Sequence, residues 1–166
     1  MSEISVRWIV KNDVGRVVEI ERECFPKPWS EEDFSECLRR RQNIGKVVEV
    51  DGRIVGYILY ELSHKKICLI NMGVTKSSRR SGVGRFLVEH LKSKLEKPDY
   101  WLSIETRVSE ENLEAHLFLK RCGFKALSVD RDFFTDEDGS CDGYLFAYTR
   151  GMACENELVE SAEEIT

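Results

Sequence analysis

Short stretches in which apolar and polar residues alternate mark the predicted strands of this chain. The alternation over residues 4–10 predicts a first strand, which β-branched side chains reinforce. Residues 46–50 and 53–62 predict a hairpin, because the Asp51-Gly52 pair between them favours a tight turn. Four further strands are predicted at residues 66–74, 100–106, 124–129 and 143–149, the last two joined by an acidic turn at 135–140.

Apolar residues that recur every three or four positions predict helices between these strands. The first helix begins after a cap at Asn12 or Asp13. Its predicted apolar positions are Val14, Val17, Val18 and Ile20. The second helix begins after Ser30, because serine is a good N-cap and three acidic residues follow it.

The strongest helical pattern covers residues 82–97 and ends before Pro98. Its predicted apolar side carries Phe86, Leu87, Val88, Leu91 and Leu95. The last helix covers residues 111–122, and Gly123 is suited to a left-handed C-cap.

The resulting element order, β-α-α-β-β-β-α-β-α-β-β, predicts a mixed α/β fold. Hairpins imply antiparallel pairing, and the two later strand-helix-strand units imply some parallel pairing. We expect one domain over residues 1–150, since its length suits a single core. Residues 151–166 contain five glutamates and few large apolar side chains, so we expect a flexible acidic tail.

Composition and charge narrow the class of protein. The chain has 166 residues, is 42% hydrophobic and carries a net charge of −5. This acidity argues against general nucleic-acid binding, which needs a basic surface. The six cysteines form no C-x-x-C pair and no metal-binding spacing, so we expect a reducing cytoplasm and no bound metal. We also expect no membrane span, because no apolar run approaches 18 residues.

A basic, glycine-containing turn lies between a predicted strand and the strongest helix. Its residues are Arg79, Arg80, Ser81, Gly82, Val83 and Gly84, followed by Arg85. Unpaired N–H groups and the helix dipole favour an anion at such a helix start, and glycine lets a ligand approach closely. The turn therefore indicates a pyrophosphate site, with an ordinary tight turn as the alternative. The dinucleotide fingerprint is absent, because its third glycine would fall on Leu87.

With this turn in place, the chain resembles the GNAT acetyltransferase superfamily over about residues 4–150. Within it, the chain is most similar to the ribosomal-protein-alanine N-acetyltransferases. Three segments outside the turn carry this likeness: Phe25 to Ser30, Leu69 to Val74, and Leu119 to Phe124. The resemblance implies a central sheet of about seven strands with about four helices. It also implies acetyl-CoA as cosubstrate and an amine as acceptor.

The resemblance also implies roles for single residues. Met72, Gly73 and Val74 would bind the pantetheine arm through their backbone, and residues 79–84 would bind the pyrophosphate. Arg85 and Asn112 would also contact the cosubstrate. Glu105 matches the family's general base; the alternative is a strand-end glutamate in water or paired with Arg107. The tyrosine that the family carries before a Gly-Phe pair is matched to Phe118, which has no hydroxyl to protonate the thiolate.

The acceptor side is implied by two aromatic segments. Phe25 and Trp29 would line the substrate groove, although Trp29 is equally consistent with a core anchor. Phe133 and Phe134 would contact the first residues of the acceptor. The predicted acceptor is the N-terminal α-amino group of a protein or peptide. A small amine remains an alternative, as does an acetyl-CoA-binding module of weak activity, which the lack of a hydroxyl at Phe118 suggests.

Overall fold

The computed structural model describes residues 2–97 and 101–150 as seven strands and four α-helices. The strands are β1 Ile4–Trp8, β2 Asn43–Val50, β3 Arg53–Ser63, β4 Lys66–Val74, β5 Ser103–Ser109, β6 Lys125–Asp136 and β7 Gly139–Thr149. The helices are α1 Val14–Cys24, α2 Glu31–Arg39, α3 Val83–Lys92 and α4 Leu113–Arg121. This order is the one that the sequence predicts.

All seven strands form one sheet in the order β1-β2-β3-β4-β5-β7-β6. Neighbouring strands are antiparallel except β4 and β5, which are parallel. The predicted mixed α/β fold is therefore confirmed. The single parallel pair lies at the centre of the sheet, between an antiparallel meander and the β5-β7-β6 unit.

Local chemistry explains the elements that were predicted well. Asp51 and Gly52 have φ angles of +51° and +77°, the left-handed pair that a tight hairpin turn requires. The Ser30 hydroxyl accepts the N–H of Asp33, and the Asp33 carboxylate accepts the N–H of Ser30, which completes a capping box. Gly123 has a φ angle of +87° and follows α4, as predicted.

The predicted helix at 82–97 is corrected at its end and on one face. The α-helix ends at Lys92, and Ser93–Glu96 is a 3₁₀ turn. Phe86 was predicted to face the core but is 37% exposed. The neighbouring positions Leu87 and Val88 are buried, because the core lies against their side of α3 and not against that of Phe86. Pro98 lies outside the described residues.

Strand pairing also shifts the later strands from their predicted bounds. The strand predicted at 100–106 runs from Ser103 to Ser109, because β7 pairs with it through Ser109. The last hairpin is longer than predicted, and its turn shrinks to Glu137 and Asp138. Cross-strand hydrogen bonds are available to polar residues as well, so polarity alone did not mark these strand ends.

The sheet carries a hydrophobic core on each face. Helices α3 and α4 cover one face, and Leu87 and Leu91 of α3 are buried there against Ile104 and Phe146 of the sheet. Helices α1 and α2 cover the other face. That second core contains Val14, Val17, Val18, Ile20, Phe34, Val47, Tyr57 and Leu59.

Other expectations concern features away from the core. No helix within residues 2–97 and 101–150 is long and apolar enough to cross a membrane. The five cysteines in these ranges are free thiols. The acidic tail predicted at 151–166 lies outside the described residues.

An ion pair at the start of α1 is expected to make folding stability depend on pH. Arg7 binds Asp13 through two hydrogen bonds of 2.7 and 3.0 Å, and Asp13 is 7% exposed. Arg7, assisted by the Val10 N–H, holds the pKa of Asp13 below its usual range. This contribution is present above the unfolded pKa of about 3.9 and is lost as pH falls through the folded pKa.

Replacing Asp13 with asparagine tests this dependence. We expect Asp13→Asn to be less stable than the wild type at pH 7, and the difference to shrink below about pH 4. Urea unfolding at several pH values measures it. An equal difference at pH 7 and pH 3 would contradict the assignment.

Candidate active site

The parallel pair β4–β5 separates along its length and opens a cleft in the sheet. Only three residue pairs are in register, the last of them Cys68 with Glu105. Just beyond, the Thr106 hydroxyl donates to the Leu69 carbonyl at 3.0 Å. From there to Val74, β4 pairs only with β3 among the strands of the described ranges. The other edge of β4 is therefore available to a ligand.

Two of the three predicted residues of β4 turn their backbone toward this cleft. The Thr75 N–H donates to the Val55 carbonyl at 2.8 Å, so the backbone of Thr75 faces β3. Backbone groups alternate sides along an antiparallel strand, so Val74 and Met72 face the cleft and Gly73 faces β3. The prediction that Gly73 offers its backbone to a ligand is corrected by this alternation.

Gly73 matters through the space beside it. A Cβ atom there would lie 2.8 Å from Cε1 of Tyr57 and 3.1 Å from Sγ of Cys24. Such distances force neighbours to move, so only glycine lets β4 lie this close to Tyr57 and α1.

Gly73→Ala is therefore expected to destabilise the fold by about 1–3 kcal/mol through overpacking. Gly15→Ala is a matched control, because Gly15 is on α1 and its nearest neighbour would be 3.7 Å away. The control is expected to change stability by less than about 1 kcal/mol, in the stabilising direction. Denaturant unfolding compares the two, and equal effects would contradict the packing argument.

The turn at residues 79–84, here called the anion turn, has the backbone geometry of an anion site. Gly82 is the N-cap of α3 with a φ angle of +87°, and Arg80 also has a left-handed φ, of +61°. Alternating left-handed residues turn successive N–H groups inward, and the first N–H groups of α3 lack partners within the helix. Arg80, Ser81 and Arg85 are exposed around this turn. The predicted pyrophosphate site therefore fits the backbone present.

Contacts from α1 brace the turn, and the sequence did not indicate them. The Glu23 carboxylate accepts the Lys76 N–H at 2.8 Å and the Thr75 hydroxyl at 2.9 Å. These two donors hold the pKa of Glu23 below its usual range. Glu23 thus stays ionised and fixes the start of the turn relative to α1.

The Arg79 side chain turns back toward β4. Its Nε donates to the Val74 carbonyl at 3.2 Å, and its Nη2 lies 3.2 Å from Sγ of Cys24. The Cys24 thiol also donates to the Val74 carbonyl, at 3.4 Å. Arg79 therefore links the end of β4 to the turn, and its charge remains beside the turn.

Phe118 of α4 lies against the start of α3. A Cβ atom on Gly84 would be 3.3 Å from Cε2 of Phe118, so glycine leaves room for this ring. In the family's Tyr-x-x-x-Gly-Phe pattern the tyrosine lies four positions before the glycine. Counted from Gly123, this position is Leu119, which is 3% exposed and belongs to the core. The match of the tyrosine to Phe118 is thus one residue early, and neither residue carries a hydroxyl.

Asn112 has a structural duty at the start of α4. Its side-chain oxygen accepts the Ala115 N–H at 3.2 Å, as an N-cap does. Only its amide N–H₂ group is left for a ligand.

Glu105 lies where β4 and β5 begin to separate and is half-buried. Lys66 donates to its Oε2 at 3.0 Å. The alternative pairing with Arg107 is wrong, because Arg107 binds Asp130 at 2.6 Å. Successive residues of a strand point to opposite faces of the sheet, and Ile104, which precedes Glu105, packs under α3 and α4. Glu105 therefore points to the opposite face, the face of α1 and α2.

The predicted acceptor residues flank this same face. The loop at residues 25–29, here called the acceptor loop, joins α1 to α2. Its Lys27 reaches the tip of the last hairpin and pairs with Asp138 at 2.8 Å and also with Asp136. The acceptor loop and the β6–β7 hairpin therefore lie side by side.

Trp29 is a core anchor and also borders a cavity, while its predicted role as a substrate contact stays a prediction. Its ring packs on Phe34 at 5.3 Å between centroids, as a core anchor does. It also lines a cavity of about 630 Å³, together with the acidic residues Asp33, Glu36 and Glu61.

Phe133 and Phe134 form an exposed aromatic pair on β6. Their rings meet edge to face at 4.9 Å, and they are 48% and 37% exposed. The Arg107 guanidinium lies 5.1 Å from the Phe133 ring centre. An exposed aromatic pair beside a cation suits contact with a peptide.

Comparison with known proteins identifies the family of this chain. The profile of the acetyltransferase (GNAT) family matches residues 14–124. The ribosomal protein bS18-alanine N-acetyltransferase of Escherichia coli K12 is 28% identical over 143 residues, covering 84% of this chain and 93% of that protein. An N-alpha-acetyltransferase of Sulfurisphaera tokodaii is 26% identical over 157 residues, covering 87% and 92%. The crystal structure of the E. coli S18-alanine enzyme superposes with a TM-score of 0.76 at 22% identity, covering 89% and 94%.

The split parallel pair and the anion turn at the start of α3, taken with these relatives, define an acetyl-CoA-dependent N-acetyltransferase. The chain belongs to the acetyltransferase (GNAT) family. Its predicted fold, enzyme class and cosubstrate are confirmed.

Proposed function

We propose that the acceptor is the N-terminal α-amino group of a protein or peptide, as in the ribosomal-protein-alanine enzymes. The observation that carries this proposal is the pairing of Lys27 with Asp136 and Asp138. It sets the acceptor loop beside the β6–β7 hairpin on the face toward which Glu105 points. A chain end lying between these segments would meet Phe133 and Phe134 with its first side chains. The names of the bS18-alanine and N-alpha relatives support the same acceptor class.

Glu105 is the proposed general base. An α-amino group has a pKa of about 8, so at neutral pH it must lose one proton before it can attack. Lys66 holds the Glu105 carboxylate at the base of the cleft. The backbone of Met72 faces the cleft four residues beyond Cys68, the residue of β4 that pairs with Glu105. This separation is about 13 Å along the strand, so we assign the proton transfer between the amine and Glu105 to intervening water.

The open edge of β4 is the proposed electrophilic element. Acetyl-CoA supplies the acetyl group as an activated thioester. The N–H groups of Met72 and Val74 point into the cleft, and a backbone N–H aimed at the thioester oxygen stabilises the charge that develops there. Met72 is the nearer of the two to Glu105. Since neither Phe118 nor Leu119 carries a hydroxyl, we assign protonation of the thiolate to water.

Thiol release from acetyl-CoA in the presence of several amines tests the proposal. The amines are peptides with free Ala, Ser or Met N-termini, the same peptides with blocked N-termini and an internal lysine, and polyamines. We expect release with free N-termini and not with the blocked peptides. Release with polyamines alone would overturn the proposed acceptor.

A small polyamine is the second candidate, and the cavity beside Trp29 favours it. Asp33, Glu36 and Glu61 line this cavity with Arg40 as the one cationic side chain among its lining residues. Carboxylates around an aromatic ring suit an ammonium group. The reducing cytoplasm expected from the cysteines remains the proposed location for either acceptor.

A further inference from the structure

Glu21 is a buried acid inside the core between α1 and the sheet. It is 2% exposed and lies among the apolar residues that α1 and α2 cover. Within residues 2–97 and 101–150 no lysine, arginine or histidine forms an ion pair with it. A carboxylate in such a place is costly unless hydrogen-bond donors compensate it.

Three donors converge on this carboxylate. The Trp29 N–H donates to Oε1 at 3.1 Å, and the Asn71 amide donates to Oε2 at 3.1 Å. The Tyr57 hydroxyl also donates to Oε2. Burial and the adjacent charge of Glu21 raise the pKa of Tyr57 well above its usual range, so this hydroxyl keeps its proton.

The donors come from three separate parts of the site. Trp29 ends the acceptor loop, Tyr57 belongs to β3, and Asn71 belongs to β4. The backbone carbonyl of Glu21 also accepts the Phe25 N–H at 3.0 Å, so both ends of the acceptor loop bind one residue.

Glu21 also connects this loop with the cleft. A Cβ atom on Gly73 would lie 3.0 Å from the Tyr57 hydroxyl oxygen. Glu21, which accepts a hydrogen bond from this hydroxyl, therefore lies next to β4. Asn71 precedes Met72, whose N–H faces the cleft. A shift of Glu21 would therefore move the acceptor loop relative to the strand that binds the thioester.

We propose that Glu21 is a positioning residue that sets the acceptor loop against β4 and so controls acceptor binding. This inference rests on the proposed function, because it takes the loop at 25–29 as an acceptor contact. Glu21 acts through Trp29, Tyr57 and Asn71 and does not itself touch the substrate.

The main test replaces Glu21 with methionine, which has similar size and accepts no hydrogen bond from these donors. We expect Glu21→Met to raise the KM for the acceptor peptide roughly 10–100-fold, because the buried Tyr57 hydroxyl and two part-buried donors lose their partner. The Kd for acetyl-CoA, measured by calorimetry, is expected to stay within about twofold, since the turn at residues 79–84 is untouched.

Glu21→Gln is the conservative variant, and it should largely rescue acceptor binding. Glutamine keeps an oxygen for Trp29. Its N–H₂ group can donate to the Tyr57 hydroxyl oxygen and to the oxygen of a turned Asn71 amide. Glu19→Met is the matched control on the same helix, because the Glu19 side chain is 63% exposed. Asn71→Ala breaks the link to β4 alone and serves if Glu21→Met does not fold.

Hydrogen exchange gives a readout that does not need activity. The acceptor loop has three amides, those of Phe25, Lys27 and Trp29, since residues 26 and 28 are prolines. We expect Glu21→Met or Asn71→Ala to speed their exchange while the core strands stay protected, and Glu21→Gln to exchange like the wild type.

The outcomes separate this inference from the proposed function. An unchanged acceptor KM with unchanged loop exchange would overturn the positioning role. The positioning role would also be overturned if the Kd for acetyl-CoA and the acceptor KM rose equally and exchange became faster throughout the chain. That result would indicate a general structural effect. If the wild type acetylates no amine, the proposed function fails, and selective exchange of the loop amides still decides the role of Glu21.

Discussion

Glu105→Gln is expected to lower kcat/KM for an N-terminal peptide about 100-fold or more at pH 7. General base catalysis contributes about 10²–10⁴-fold, and glutamine has nearly the size of glutamate but cannot accept the proton. The affinity for acetyl-CoA is expected to remain, because the anion turn follows the other end of β4. Steady-state rates and calorimetry measure the two quantities separately.

The pH dependence distinguishes a lost base from a distorted site. Above the acceptor pKa of about 8 the amine is already neutral, whereas at pH 7 only about a tenth of it is. The part of the Glu105→Gln deficit that comes from removing the ammonium proton, about tenfold, is therefore expected to disappear as pH rises toward 9.5. A distorted site would keep a constant deficit. Glu89→Gln is the matched control, because Glu89 lies on the exposed side of α3, away from the cleft, and pairs with Lys92 of the same helix. A Glu105→Gln enzyme with full activity at pH 7 would contradict the assignment.

Ser81→Asp is expected to weaken acetyl-CoA binding about 10–100-fold, while Ser81→Asn changes it little. Ser81 is exposed within the anion turn, and its hydroxyl donates to the Ser78 carbonyl of the same turn. A carboxylate about 5 Å from a phosphate charge costs about 1–3 kcal/mol at effective dielectric constants of about 20–80. Asparagine has the size of aspartate without its charge, so the pair isolates the electrostatic contribution.

Salt provides the control for this second experiment. The penalty of Ser81→Asp comes from charge repulsion in an exposed turn, so it is expected to shrink as ionic strength rises. Calorimetric titration with acetyl-CoA at two salt concentrations measures it. Equal Kd values for the aspartate and asparagine variants would show that the pyrophosphate binds elsewhere.

The elements that the sequence predicted well depend on neighbours along the chain. The bounds of β4 at residues 66–74 were predicted correctly, and so were the turn at Asp51-Gly52 and the cap at Ser30. The left-handed glycine at the start of α3 is a local feature of the same kind, whereas its role in binding a pyrophosphate stays a prediction.

Glu21 shows where local patterns lose their force. It occupies the helical position that continues the apolar stripe of Val14, Val17 and Val18, and a glutamate there was the available signal. The spacing marks it as inward-facing. It does not reveal that donors from Tyr57 and Asn71, which are 36 and 50 residues away, meet it there.

The sequence alone established the order of elements, because this order depends on short-range spacing, and the resemblance carried by a motif of adjacent residues implied the class of enzyme. Tertiary structure was needed to show that the backbone of Gly73 faces β3, that Glu105 pairs with Lys66 and that Phe86 is exposed. Alternation along a strand tells which residues share a face, but the pairing register and the elements packed above determine what that face contacts.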